Sequence, residues 1–155
     1  MPALMLWLVV AALVTTLTAP VSVQQSVGRL RLDLAVNKPV YVAGEPVEVR
    51  LTLRNGGESP LRVQFGSGQR FDVIVRRRGA LVWRWSYDKA FVQVIQDVTL
   101  RPGETLSFGA AWGQVDLQGR RAEPGDYEII GVFLGRVPDA PGTLETPPLP
   151  IRITP

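Results

Sequence analysis

Val47-Glu48-Val49-Arg50-Leu51-Thr52-Leu53-Arg54-Asn55-Gly56-Gly57 is the stretch that decides the fold. Valine and leucine occupy the odd positions from 47 to 53, and Glu48, Arg50, Thr52 and Arg54 occupy the even ones. Side chains of an extended chain alternate between two faces, so one face here is apolar and the other polar. A half-buried antiparallel strand requires that pattern. Asn55-Gly56-Gly57 then closes the strand with turn residues.

The same period continues outward. On the N-terminal side, Leu30, Leu32, Leu34 and Val36 alternate with Arg31, Asp33 and Ala35. Asn37-Lys38-Pro39 interrupts, Val40-Tyr41-Val42 follows, and Ala43-Gly44-Glu45-Pro46 reads as a turn. On the C-terminal side, Leu61, Val63 and Phe65 alternate until Gly66-Ser67-Gly68 breaks the run. Phe71–Val75 and Leu81–Trp85 flank Arg76-Arg77-Arg78-Gly79, which predicts a hairpin with a basic tip. Phe91–Leu100 ends as a strand, its first part being either helical or irregular. Thr105–Trp112, Asp126–Leu134 and Leu149–Ile153 are further strands, and prolines 147, 148 and 150 place the last at a sheet edge. The prediction is an all-β domain over residues 29–155, an immunoglobulin-like antiparallel β-sandwich of eight or nine strands. A barrel is the alternative.

Composition narrows the function classes. The 155 residues suit one domain. Seventeen basic residues face 14 acidic ones, and apart from Arg76-Arg77-Arg78 the charges are interspersed. That describes a mixed, solvated surface and no nucleic-acid stripe. The chain has neither cysteine nor histidine. This excludes disulfides, thiol nucleophiles, Ser-His-Asp triads, ordinary zinc or copper sites and a lipoprotein anchor on cysteine. No cofactor or metal and no catalytic residue is expected.

Met1–Gly28 carries no charged side chain, and Leu4–Val14 is apolar for eleven residues. That length suits the h-region of a signal peptide, with a small-residue exit at Thr18-Ala19. Residues 1–22 are therefore expected to be a signal peptide or, read together with Thr15–Val23, an anchor that spans the membrane. Either way the domain is expected to be exported: periplasmic, extracellular or membrane-anchored.

Three patterns invite a chemical reading. Ser86-Tyr87-Asp88-Lys89 matches the S-x-x-K of serine β-lactamases, but it follows a Trp-rich strand and no S-D-N or K-T-G comes later. A strand-end loop is the better reading. Gly66-Ser67-Gly68 lacks the spacing of a nucleophile elbow. Asp116, Glu123 and Asp126 surround a loop, yet lack an EF-hand order, and read as solvated acids rather than calcium ligands. Trp83 and Trp85, two apart, would share one face of a strand, with Arg84 opposite. They and Trp112 fill the core or form an exposed aromatic surface.

Several pieces together carry a resemblance. They are Leu51-Thr52-Leu53-Arg54-Asn55, Ser67-Gly68-Gln69-Arg70-Phe71-Asp72, Val82-Trp83-Arg84-Trp85-Ser86, Lys89-Ala90-Phe91, Leu100-Arg101-Pro102-Gly103-Glu104 and Pro124-Gly125-Asp126-Tyr127. From about Leu32 to Leu134 the chain resembles the BsuPI-type intracellular proteinase inhibitor family. The resemblance implies an antiparallel β-sandwich, no enzymatic activity and a serine protease as partner. The alternative partner is another protein of the cell envelope, bound by a non-inhibitory module. A substrate-like inhibitor needs an exposed loop held rigid and extended. The candidate loops are Gly66–Arg70, with Ser67, Gln69 and Arg70; Ser86–Ala90, with Tyr87, Asp88 and Lys89; and the hairpin tip at Arg77. Lys89 or Arg70 would enter a trypsin-like pocket.

Overall fold

The computed structural model describes residues 19–155. The apolar run of the expected signal or anchor segment lies outside the described residues. Twelve strands follow in order: β1 (Val21–Val27), β2 (Leu30–Val36), β3 (Val40–Val42), β4 (Val47–Asn55), β5 (Leu61–Phe65), β6 (Phe71–Arg77), β7 (Ala80–Arg84), β8 (Gln96–Leu100), β9 (Thr105–Trp112), β10 (Gly125–Phe133), β11 (Leu144–Glu145) and β12 (Leu149–Thr154).

Two sheets form an immunoglobulin-like sandwich. One has the order β1-β2-β4-β9, the other β3-β12-β10-β6-β7, and β5 pairs with β8 beside them. The alternation read in the sequence sets the layers. Val47, Val49, Leu51 and Leu53 of β4 are buried, as are Leu30, Leu32, Leu34 and Val36 of β2. They meet Val73 and Val75 of β6, Tyr127 and Ile129 of β10, and Ile151 and Ile153 of β12 in one core. The strands β6, β10 and β12 run antiparallel, while β3 joins β12 in parallel. A short early strand thus lies beside the last strand, at the edge of the second sheet.

Two devices fix this packing. Gly131 of β10 faces the opposite sheet so closely that a Cβ there would lie 2.6 Å from Leu51 Cδ1 and 3.1 Å from Leu34 Cδ1. At the start of β10 the Tyr127 hydroxyl donates to the carbonyl of Glu123 at 2.6 Å, the tyrosine-corner arrangement of such sandwiches. Its ring lies 5.3 Å from that of Trp112, and Trp112 is fully buried, its indole N–H satisfied by the Val115 carbonyl at 2.8 Å.

The differences from the sequence reading have physical causes. More strands exist than the eight or nine expected, because β1 (VSVQQSV) is largely exposed and polar and β11 has two residues. β1 sets only Val21, Val23 and Val27 half-buried against the core, and β11 is too short to show a period. The domain's first sheet therefore begins at Val21, ahead of residue 29. β12 is not an edge strand, since β10 flanks it on one side and β3 on the other. Pro150 is tolerated because β3 pairs only from Arg152 onward. Arg152 donates its N–H to the Pro39 carbonyl at 3.0 Å, and the nitrogen of Pro150, two residues earlier, faces the same side before β3 begins. The stretch between β7 and β8 is irregular after a single 3-10 turn, Trp85–Asp88. Trp85 has therefore left the strand on which it was expected to share a face with Trp83.

Candidate functional site

Phe71, Trp85 and Phe91 are far apart in sequence but form one stack. Phe71 opens β6, and the 3-10 turn after β7 folds Trp85 onto it with ring centroids 4.2 Å apart. Phe108 of β9 covers the other side of Phe71 at 5.0 Å, and Phe91 closes on Trp85 at 5.8 Å. The run continues through Phe133 to Phe65. Each such pair contributes about 0.5–1.5 kcal/mol beyond its area. Trp83 and Trp85 pack against the core, so the core reading of the tryptophans is the right one.

Beside this stack sits a buried carboxylate. The Asp72 side chain is only 7% exposed. Its Oδ2 accepts the Ser86 hydroxyl at 2.5 Å, and its Oδ1 accepts the backbone N–H of Ser86 at 3.1 Å and of Val73 at 2.9 Å. Gln69 Nε2 adds a longer donor at 3.4 Å, and Arg84 Nε stands 4.0 Å away. A carboxylate removed from water needs such replacements for its hydration. Asp72 thereby clamps the turn after β7 to the loop after β5. The S-x-x-K pattern is divided by the same contacts. Ser86 is bound to Asp72, while the Lys89 ammonium lies 4.9 Å from the Trp85 ring centroid and 3.2 Å from Asp88 Oδ1.

The candidate loop residues separate into two groups. Ser67, Gln69, Arg70, Tyr87, Asp88 and Lys89 surround this one end of the sandwich. Ser67 Oγ accepts the Gln69 N–H at 3.1 Å, and Gln69 Nε2 also donates to the Phe71 carbonyl at 3.2 Å. Arg70 lies over Phe65 at 4.8 Å and donates to Gln96 Oε1 at 2.9 Å. Arg77 is elsewhere, six residues along β6, about 20 Å away by strand rise. It is not a hairpin tip. Arg77 pairs with Ala80, and the turn consists of Arg78 and Gly79, both at positive φ (50° and 77°). Its guanidinium lies over the Tyr127 ring and donates to Glu123 and to the Pro124 carbonyl. A two-residue loop with left-handed backbone follows the twist of the strands, which explains why the tip is tighter than the basic run suggested.

Beyond the clamp lies a feature that the strand pattern concealed. Tyr87, Val92, Val94 and Ile95 are 62%, 69%, 46% and 69% exposed. In the sequence, Phe91-Val92-Gln93-Val94-Ile95 reads as material for a core. Its apolar residues follow neither a two-residue nor a helical period, and that irregularity was the one available signal. The segment is held at its ends. Lys89 is extended (φ −113°, ψ 144°) and donates its N–H to the Ser86 carbonyl at 3.2 Å. Gly68 donates its N–H to the Val92 carbonyl at 2.7 Å.

The three loop carboxylates considered for calcium are each matched with an arginine: Asp116 with Arg120, Glu123 with Arg77 and Asp126 with Arg152. Among the described residues no group of three acidic side chains is placed to hold a metal ion, and no helix is long and apolar enough to cross a membrane.

Comparison with known proteins places these motifs. Solved structures with similar folds share little sequence. A β-glucosidase from Erythrobacter marinus is 18% identical over 84% of this chain and 16% of its own, with a TM-score of 0.41. The CARDB domain of a Pyrococcus furiosus protein, solved with di-metal ions, is 14% identical over 85% of this chain and 90% of its own, with a TM-score of 0.43. Spo0M, a sporulation control protein from Bacillus subtilis, is 14% identical over 82% of this chain and 50% of its own, with a TM-score of 0.46. The chain thus spans about a sixth of the β-glucosidase and half of Spo0M. No curated protein matches. The family model described as BsuPI, intracellular proteinase inhibitor, matches residues 34–137, the greater part of the chain and all of the clamped end. The chain belongs to the BsuPI family of intracellular proteinase inhibitors.

Proposed function

We propose that this protein inhibits a serine protease outside the cytoplasm through the loops at the clamped end of the sandwich. Membership of an inhibitor family is the observation that carries the reading. The arrangement of the loops supports it. An inhibitor that binds as a substrate does must lose little loop entropy on binding and must not open when the protease engages it. Here the aromatic stack of Phe71, Trp85 and Phe91 and the Asp72 carboxylate hold the loops from below. The apolar run Leu4–Val14 supports export, and a protease that meets an exported inhibitor acts outside the cytoplasm.

The test is titration of the full chain against active-site-counted serine proteases. The expected result is a loss of protease activity that saturates with added inhibitor. Full activity at micromolar excess, with the chain merely digested, sinks the proposal. N-terminal sequencing of the protein recovered from its native cells tests the export. A mature N-terminus near Ala19 supports it, and an intact Met1 in a cytoplasmic fraction overturns it.

A further inference from the structure

The exposed aliphatic residues raise a question that the inhibitor reading leaves open: which side chains meet the protease. Arginine and lysine are the obvious choices for a specificity pocket, but those in the loops are engaged. Lys89 rests on Trp85 beside Asp88, and Arg70 rests on Phe65 and binds Gln96. The free aliphatic side chains are Val92, Val94 and Ile95. All three are β-branched, which favours extended backbone and restricts χ1. Three aliphatic side chains gathered in water on one short segment mark a contact surface more often than scattered single exposures do.

The backbone agrees. The segment is tied on one side by the Val92 carbonyl accepting from Gly68 and on the other by Gln96, which pairs with Phe65 at the start of β8. Between them, Gln93, Val94 and Ile95 make no backbone hydrogen bond among the described residues. Their N–H and C=O groups are available to pair with a partner as an added strand does. Resting on the inhibitory reading above, we propose that Val92–Ile95 is the strand that enters the protease cleft. The residue in the primary pocket is Val94 or Ile95, and the target enzyme takes branched aliphatic side chains, with a small apolar pocket of the elastase type. Val92 is excluded from the primary position, because its carbonyl is already bound to Gly68 and cannot turn into an oxyanion hole.

The full chain and its Val94→Lys and Ile95→Lys variants are to be titrated against an elastase-type protease and against trypsin. Val42→Lys, at an exposed position on β3, is the control, and a thermal melt of each variant accompanies the titration. The expected result is inhibition of the elastase-type enzyme by the wild-type chain, weakened tenfold or more by at least one loop variant and unchanged by Val42→Lys, with melts unaltered. Elastase inhibition that survives both loop variants overturns this assignment and leaves the inhibitor reading standing. So does inhibition of trypsin that Lys89→Ala or Arg70→Ala abolishes. Failure of the wild-type chain against every serine protease tried removes the inhibitor reading itself.

Discussion

The two connections that leave the β6–β7 hairpin at opposite ends invite comparison. At one end, Arg78-Gly79 turns the chain in two residues, and two of the neighbouring arginines are paired: Arg77 with Glu123, Arg152 with Asp126. At the other, eleven residues from Trp85 to Ile95 make one 3-10 turn and then leave three aliphatic side chains in water. The basic run reads in the sequence as a solubilising turn or a contact site, and in the structure its central Arg77 is engaged within the fold. The apolar end looks like core and is surface. Exposed charge is the ordinary state of a protein surface and calls for no partner, whereas a cluster of exposed aliphatics does.

Substitutions at the two ends should therefore differ in size and in kind. The largest effect is expected for Phe71→Ala, which removes the ring between Trp85 and Phe108. It should destabilise the domain by about 3–5 kcal/mol, read by chemical denaturation. Asp72→Ala comes next, at about 1–3 kcal/mol, since it leaves the Ser86 N–H and hydroxyl without their acceptor. Hydrogen exchange should also rise in the loop through Ile95 and stay unchanged at Arg78-Gly79. Equal loosening of both ends would show that the clamp is not local. At the hairpin end, Tyr127→Phe loses one hydrogen bond to Glu123 and should cost about 0.5–1.5 kcal/mol, with no effect on protease titration. A loss of inhibition there would move the site to the charged end.

The smallest effect is the dependence on acid. The hydrogen bond from Arg62 holds the Asp97 carboxyl below its ordinary range, and that from Arg152 does the same for Asp126. A depressed carboxylate stabilises the fold above its unfolded value, about 4. That contribution is lost as pH falls through the lower folded value. Both groups are exposed, so the change in stability should be slight, but carboxyl chemical shifts should report it. Arg62→Ala should move only Asp97, near the apolar loop, and Arg152→Ala only Asp126, near the hairpin.

Much of the sandwich was legible because its inward residues alternate. Val47–Leu53 and Leu30–Val36 name their own buried faces, and the Pro124–Tyr127 turn announces the start of β10. Features that depend on residues distant in sequence were not legible. Nothing in Phe91–Ile95 says that Trp85 will take Phe91 and leave Val92, Val94 and Ile95 outside. Nothing in Asp72 says that its acceptors face Ser86, fourteen residues later. β1 was missed because Gln25 interrupts the alternation of Val21, Val23 and Val27, and these valines are only partly buried. Among the candidate contact residues, the basic ones were chosen by chemistry alone, and nothing in the sequence says that Arg70 lies over Phe65, Arg77 over Tyr127 and Lys89 over Trp85.

The parallel pairing of β3 with β12 has a kinetic consequence. It joins residues 113 positions apart, as the bond from Thr154 Oγ1 to the Tyr41 carbonyl marks. The β1–β2 and β6–β7 hairpins close short loops and can form first, while closure of so long a loop carries a larger entropic cost and comes late. Until β3 and β12 meet, the outer edge of β12 is open to any other extended chain. The closing of β3 on β12 therefore sets how long the folding domain stays vulnerable to mispairing, and Pro150, which denies a donor to the side that β3 leaves bare, shortens that edge.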